Sequence, residues 1–301
     1  MFFFNKKHTI AASGILQGAA DHHSHILSGV DDGVETMDEA LRILATYEDL
    51  GIKELWLTPH IMEDIPNTPQ KLKARFDELK AAYKGNIKLH LAAEYMIDNH
   101  LHQLLQETNK LRHSQCEGRW HEQSVVTEGS KAPNGEGDKA TEPQGEISLN
   151  SPSLKREYPK GEGDRNPKQD SPLLPIGNAG KHILVETSYY NAPMRMDETL
   201  QQIKSLGYFP LLAHPERYMY LDNADYLKLH SQGVKFQLNL ISLAGGYGKT
   251  VKKKAKWLLS NGLYTVAGSD LHCEETIGFI TKCKLRKHNI EQVNRLLHNV
   301  I

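Results

Sequence analysis

Eight side chains in this sequence have the types and spacing of metal ligands: His23, His25, His60, Glu94, Glu186, His214, Asp270 and His272. Each falls at the end of a short run that reads as a β-strand. His23 and His25 are two residues apart, as are Asp270 and His272. Residues i and i+2 of a strand point to one side, so each pair can chelate. Imidazoles and carboxylates without a thiolate suit Mn, Fe or Zn. Eight donors exceed what one four- to six-coordinate ion uses. Two or three divalent ions sharing carboxylate bridges are therefore expected. The chain has 16 histidines. His22, whose side chain should face away from its neighbours at 23 and 25, reads as an ordinary hydrogen-bonding residue. So do His90, His100, His102, His182, His230, His288 and His298.

The elements that must position these donors alternate. Thr36-Met37-Asp38-Glu39 has the form of a capping box and opens a helix over Met37–Leu50 that Gly51 stops. Glu54–Thr58 is a strand leading to His60. Thr68-Pro69 starts a helix running to about Lys84. Ile87–Ala93 is a strand ending at Glu94, and a helix follows from Asp98 to about Lys110. Further on, strands over His182–Val185, Phe209–Ala213, Val234–Leu240 and Leu263–Ala267 alternate with helices over Asp197–Leu206, Ala224–Gln232, Lys249–Ser260 and Ile290–Asn299. With a first strand before His23 this makes seven βα units. Such alternation implies a parallel sheet, and this many units favour a closed, distorted (βα)7-type barrel over an open doubly wound sheet. Barrel strands deliver their C-terminal ends to one face, where active sites form.

One stretch interrupts the rhythm. Residues 116–172 hold seven Gly, six Pro and eleven Asp+Glu but only five Val, Ile or Leu. That composition cannot bury enough apolar surface to offset its ordering entropy, so the stretch reads as a disordered insertion within a single domain spanning 1–301. Elsewhere the composition is that of a soluble globular chain, and over all 301 residues Lys+Arg 36 stand against Asp+Glu 37, a net charge of −1. Without a basic excess, nucleic acid is not an expected partner. No apolar run reaches membrane-spanning length. Cys116, Cys273 and Cys283 form no C-x-x-C pair and no disulfide framework. The first twenty residues superficially imitate a signal peptide, but Ser13, Gly14, Gln17 and Gly18 dilute the apolar stretch, so a cytoplasmic location is expected.

In order along the chain come Asp21-x-His23-x-His25, Thr58-Pro59-His60, Ala93-Glu94, Val185-Glu186, Ala213-His214-Pro215-Glu216-Arg217-Tyr218 and Ser269-Asp270-Leu271-His272. This set resembles the motifs of the PHP (polymerase and histidinol phosphatase) superfamily. The run Ile26–Gly33 and the HPERY run are similar to the bacterial capsular-polysaccharide type (CpsB/CapC-like) of metal-dependent protein tyrosine phosphatase. The resemblance covers about residues 19–112 and 173–272. It implies a distorted barrel, a trinuclear centre of the Mn²⁺ type, and hydrolysis of phosphotyrosine on a tyrosine kinase controlling exopolysaccharide assembly. The insertion departs from the pattern, and so does the acidic Glu274-Glu275 beside His272, where a neutral or basic rim would be expected.

The residues support the same chemistry on their own terms. Clustered cations lower the pKa of a shared water and polarise phosphoryl oxygens. Phosphoryl transfer then requires positioning and charge stabilisation more than a protein nucleophile. Arg217, three residues after His214, is placed for a bidentate grip on phosphate; its alternative is a surface pair with Glu216. Asp31 and Asp32 follow the first strand; either could orient water or protonate the leaving oxygen, with Asp32 the candidate, and the alternative is a plain turn with Gly33. Tyr189, Tyr190 and Tyr218 are candidates for an aromatic wall or for the core. Gly245–Thr250 misses a P-loop, because Leu243 stands where the first glycine is required. Lys252–Lys256 reads as the wet face of a helix. No cysteine has the C-x₅-R spacing of a thiol phosphatase. Two rival functions remain: a PHP-type phosphoesterase for a small monoester such as histidinol phosphate, and a non-catalytic metal-binding scaffold in a polysaccharide assembly complex.

Overall fold

A computed structural model of the protein describes residues 7–125 and 172–301, with backbone alone for 114–125. The architecture that follows is that of the compact unit to which residues 7–110 and 172–301 belong.

The chain opens with β1 (Lys7–Thr9) and a short α1 (Ile10–Ser13) capped by the Thr9 hydroxyl. Ile10, Ile15 and Leu16 are buried, so part of the stretch that imitates a signal sequence packs into this unit. Then come β2 (Ala20–Ser24), α2 (Met37–Asp49), β3 (Glu54–Leu57), β4 (His60–Ile61), α3 (Pro69–Ala82), β5 (Lys88–Leu91), β6 (Glu94–Met96) and α4 (Asn99–Val125). After the undescribed stretch follow β7 (His182–Glu186), α5 (Met196–Ser205), β8 (Phe209–Ala213), a 3₁₀ turn at Pro215–Arg217, α6 (Asn223–Ser231) and β9 (Lys235–Asn239). The chain ends with α7 (Leu240–Ala244), α8 (Gly248–Ser260), β10 (Val266–Gly268), α9 (Glu275–Lys282), β11 (Lys284–Arg286) and α10 (Lys287–Leu297).

The local signals act as expected. Thr36 Oγ1 accepts from Glu39 N at 3.2 Å to start α2. That helix buries Ala40, Ile43, Leu44 and Tyr47, spaced as one apolar face. Thr68 caps α3 in the same way, with Pro69 in its first turn.

The sheet differs from the expected single ring of seven strands. Six parallel strands run in the order β10-β9-β8-β7-β6-β4, and three more run as β2-β3-β5. Two runs that read as single strands are broken. The chain leaves the smaller sheet at Leu57 and re-enters the larger one at His60; it does the same between Leu91 and Glu94. Each break lies immediately before a candidate ligand. The sheets meet again where Asp270 N donates to His23 O at 2.8 Å and His25 N donates to Leu271 O at 2.9 Å. Gly268 makes this approach feasible, because a Cβ there would lie 2.5 Å from the Cβ of His23. The result is a curled parallel α/β sheet. Along its strands, Leu184, Leu211, Ala213 and Val266 face an inner cluster around Trp56. Their neighbours Ile183, Val185, Leu212 and Ala267 face the larger cluster that includes the helices.

The helix after Glu94 runs on to Val125, past the expected end near Lys110, so the first residues of the suspected insertion are helical. The remainder of that insertion, and the reading of it as disordered, lies outside the described residues.

Candidate metal centre

All eight sequence-predicted donors converge, and Asp32 joins them, although His60 and Glu94 open β4 and β6 instead of ending a strand, because the chain steps between sheets just before each. They form three groups whose ligand atoms lie within 4.8 Å of one another: His25, Asp32, His60 and His272; His23, Glu94, His214 and Asp270; and His60, Glu94 and Glu186. His60 and Glu94 are shared between groups, so the three positions are contiguous. Except for Asp32 and His272, these residues are buried.

The hydrogen bonds around the first two histidines fix their tautomers. Asp31 Oδ2 lies 2.8 Å from His25 Nδ1, and the same carboxylate accepts from the backbone N–H groups of His60 and Gly33. It is an acceptor throughout, so His25 Nδ1 carries the proton. Gln237 Oε1 accepts from His214 N at 3.1 Å and lies 3.1 Å from His23 Nδ1, while its amide nitrogen donates to Leu238 O. His23 Nδ1 therefore carries its proton too. Both Nε2 atoms point inward and face each other at 3.1 Å. Beside them, neither buried oxygen of Glu94 has a hydrogen-bond partner, nor do His60 Nδ1 and His214 Nδ1. Glu94 Oε2 sits 3.1 Å from His23 Nε2 and 3.3 Å from His25 Nε2, so two ring nitrogens and a carboxylate oxygen converge on one point. Donors crowded in this way in the interior require positive charge among them. The residues fit a divalent metal.

Electrostatics say the same. Burial drives the Glu186 carboxyl well above its usual range, and the neighbouring charges of Glu94 and Asp270 push it the same way. Burial would raise Glu94 as well, but the imidazoles of His23, His214 and His25 outweigh it and hold its carboxyl well below the usual range. His60 is pushed down to about 4 by burial and by His25. The carboxylates in turn hold the His23 and His25 rings above their ordinary value against the pull of burial, so the cluster calls for positive charge, which bound cations would supply.

Two backbone positions are strained. Among the described residues, only His214 and Asp270 have positive φ without being glycine, at 33° and 52°. Both are candidate ligands, and left-handed backbone at non-glycine residues concentrates where function requires a particular side-chain aim. His214 heads the 3₁₀ turn, which Glu216 anchors: its buried carboxylate accepts from Asn239 N at 3.0 Å and from the Tyr264 hydroxyl at 2.9 Å. Glu216 is thus not the partner of Arg217. Arg217 instead points into the site, where its Nη1 donates to Asp270 Oδ2 at 2.7 Å. The guanidinium lies 4.3 Å from the centre of the Tyr189 ring and 4.2 Å from that of Tyr247.

Asp32 is 64% exposed at the mouth, with Oδ1 3.4 Å from His60 Nε2 and 3.6 Å from His272 Nε2. The hydrogen bond from His272 holds its carboxyl below the usual range. Such a group suits a ligand or a water-orienting acceptor, not a proton donor. Tyr189 and Tyr190 line the cavity of about 470 Å³ above the donors, together with Met62, Met96 and Tyr247. Tyr218 is fully buried and hydrogen-bonded to Ala213 O, so it belongs to the core. The acidic rim is also resolved: Glu274 faces Arg42 at 3.4 Å, and Thr276 is the residue that lines the cavity there.

Three contributors escaped the sequence reading: Gln237, Asn239 and Tyr247. Gln237 and Asn239 end β9 two residues apart, the spacing that marked His23/His25 and Asp270/His272, but neither is titratable. Asn239 Nδ2 donates to Asp270 Oδ2 at 2.8 Å. Asp21, quoted with the first motif, is no ligand; it ties β2 to the loop after β10 by accepting from Ser269 N at 2.8 Å and from the Tyr47 hydroxyl at 2.9 Å.

A curled parallel sheet with a cation-demanding cluster of imidazoles and carboxylates at its strand ends defines a metal-site α/β protein. More particularly, the chain belongs to the family described as capsular polysaccharide synthesis, CpsB/CapC, whose model matches residues 19–118 and 173–296. It is 24% identical over 266 residues to the tyrosine-protein phosphatase YwqE of Bacillus subtilis, covering 87% of this chain and 80% of that protein. It is 23% identical over 260 residues to the tyrosine-protein phosphatase CpsB of Streptococcus pneumoniae, covering 84% and 82%. Its fold matches a crystal structure from work on these two, described as unique metal-dependent tyrosine phosphatases. That match has a TM-score of 0.63 at 19% identity and covers 94% of this chain and 95% of that one. Among the described residues no helix is long and apolar enough to cross a membrane.

Proposed function

We propose that this chain is a metal-dependent protein tyrosine phosphatase, working in the cytoplasm on a phosphorylated tyrosine kinase of capsule or exopolysaccharide synthesis. The observation that carries the reading is the face-to-face approach of His23 and His25 Nε2 at 3.1 Å beside unpartnered Glu94. We assign His23, His25, His60, Glu94, Glu186, His214, Asp270 and His272 as ligands of two or three divalent ions, Mn²⁺ first and Fe or Zn as alternatives, with Asp32 at the rim. Bound cations supply hydroxide at neutral pH and offset charge on the phosphoryl oxygens.

The protein's own part is positioning. Asp31 and Gln237 lock two imidazoles with Nε2 facing inward. Arg217 spends one N–H on Asp270 and presents a planar fork for a phosphoryl group. Tyr189 and Tyr190 supply aromatic wall beside it, and a cavity of about 470 Å³ has room for a phenyl ring above the donors. The chain's net charge of −1 is no match for a polyanion, which supports a protein substrate over nucleic-acid ends. Metal analysis of the purified protein, run beside hydrolysis of phosphotyrosine, phosphoserine and histidinol phosphate, tests the proposal. More than one metal ion per chain with phosphotyrosine turned over fastest is expected. Faster hydrolysis of histidinol phosphate would move the chain to the small-monoester class, and metal without hydrolysis would make it a scaffold.

A further inference from the structure

The Gly245-Gly246-Tyr247-Gly248 run took no part in the sequence-derived site, yet the fold uses it. Gly245 and Gly248 adopt φ of 97° and 89°, a left-handed backbone that lets the turn between α7 and α8 fold tightly. Between them Tyr247 reaches back over the site, and its ring centre lies 4.2 Å from the Arg217 guanidinium carbon. Tyr189 holds the same guanidinium at 4.3 Å. Arginine is long and rotamer-rich; its planar head is useful to a phosphoryl group only when held still. The 3₁₀ turn fixes the Arg217 backbone, and the bond to Asp270 fixes one nitrogen. Neither fixes the plane of the fork. Two phenol faces do, because a guanidinium stacks flat on an aromatic ring.

We infer that Tyr247 is a positioning residue that acts through Arg217, setting the plane in which that guanidinium meets the phosphoryl group. The inference rests on the reading of Arg217 as the phosphate grip. Tyr247 is the better member of the clamp to test, since its link to a ligand runs only through its hydroxyl and Asn239, which the Phe variant isolates. Tyr189 also adjoins His214 and Tyr218, with ring centres 6.2 and 6.3 Å away, so its loss would disturb a ligand.

A double-mutant cycle on the metal-loaded protein decides the matter. Tyr247→Ala should lower kcat for an aryl phosphate about tenfold, the rate equivalent of a half-buried cation–π contact, with metal content unchanged. Tyr247→Phe, which keeps the ring and loses the hydroxyl, should recover most of that turnover. In an Arg217→Ala background, Tyr247→Ala should cost less than about twofold, since the group it positions is gone. Equal costs in both backgrounds would overturn the inference. So would a Phe variant as slow as the Ala variant, which would shift the role to the hydroxyl, or metal loss in Tyr247→Ala. Should Arg217→Ala alone keep full turnover, the phosphate grip itself would fall, a result separate from failure of the clamp.

Discussion

Histidines fill two regions of the described residues, and only one of them has the donor set of a metal centre. There His23, His25, His60 and His214 surround Glu94, all within 3.3 Å of its carboxylate oxygens. Away from that centre, His22, His90 and His182 lie within electrostatic reach of one another. There His22 Nδ1 bonds Ala267 O at 3.2 Å, and His90 stacks on Trp56 with its Nε2 2.9 Å from Glu54. His182 lies beside Phe209 and near the charge of Lys235. Burial pushes His22 and His182 down to about 4, so they stay neutral and serve as polar packing. The difference is a fully buried carboxylate at the centre, since Glu54 beside His90 is partly exposed. Imidazoles without a buried carboxylate settle their electrostatics by shedding a proton. Imidazoles around a buried, unpartnered carboxylate need a cation.

The sharpest way to break this contrast is at Glu94. Glu94→Gln keeps the shape and removes the charge shared by two ligand groups; turnover should fall by about 10³-fold or more, with bound metal lost by elemental analysis. Chelation of the unaltered protein should mimic this, and added Mn²⁺ should reverse it. His90→Ala, in the other region, should leave metal content as it was. If Glu94→Gln kept full metal and activity, the two regions would not differ in the way drawn here.

A smaller effect is expected at Gln237, which touches no cation position yet fixes the His23 tautomer. Gln237→Leu should weaken metal affinity about 10- to 100-fold, read by titrating metal into the apo protein and following activity. Unchanged affinity would mean that His23 is oriented by its ring contacts alone.

The smallest effect belongs to the second region. His182 is neutral when folded and has its ordinary value near 6.5 when unfolded, so the unfolded chain binds one more proton between those limits. Its contribution is therefore intact above about pH 6.5 and is lost as pH falls towards about 4. Because the ring is partly exposed, screening reduces the effect to about 1 kcal/mol. His182→Phe should remove it, flattening the acid limb of a denaturant-midpoint profile. An acid limb as steep as before would place the pH dependence elsewhere.

Much of this was legible in the residues. Helix α2 was readable because Thr36 and Gly51 bracket an apolar face, signals that act within a few residues of chain. The eight donors were readable because each follows a run that reads as a strand, but the expected chelating pairs are not formed: His23/His25 and Asp270/His272 are each divided between two ligand groups, and Asp270 lies beyond β10 in left-handed backbone. The short α7 and α9, the β1–β11 pair and the breaks at Leu57 and Leu91 were not readable, since each depends on what a distant segment offers. An apolar run looks the same whether its strand continues or steps across to a second sheet.

What the sequence determined by itself is the donor set and the order in which the strands present it, because both follow from residue type and local spacing. Only the tertiary structure decided which protons the donors carry and which neutral side chains govern them. Gln237 lies 214 residues from His23, and Tyr247 reaches Arg217 from a separate turn. A hydrogen bond or a ring contact depends on distance in space, and no local pattern of the chain encodes it.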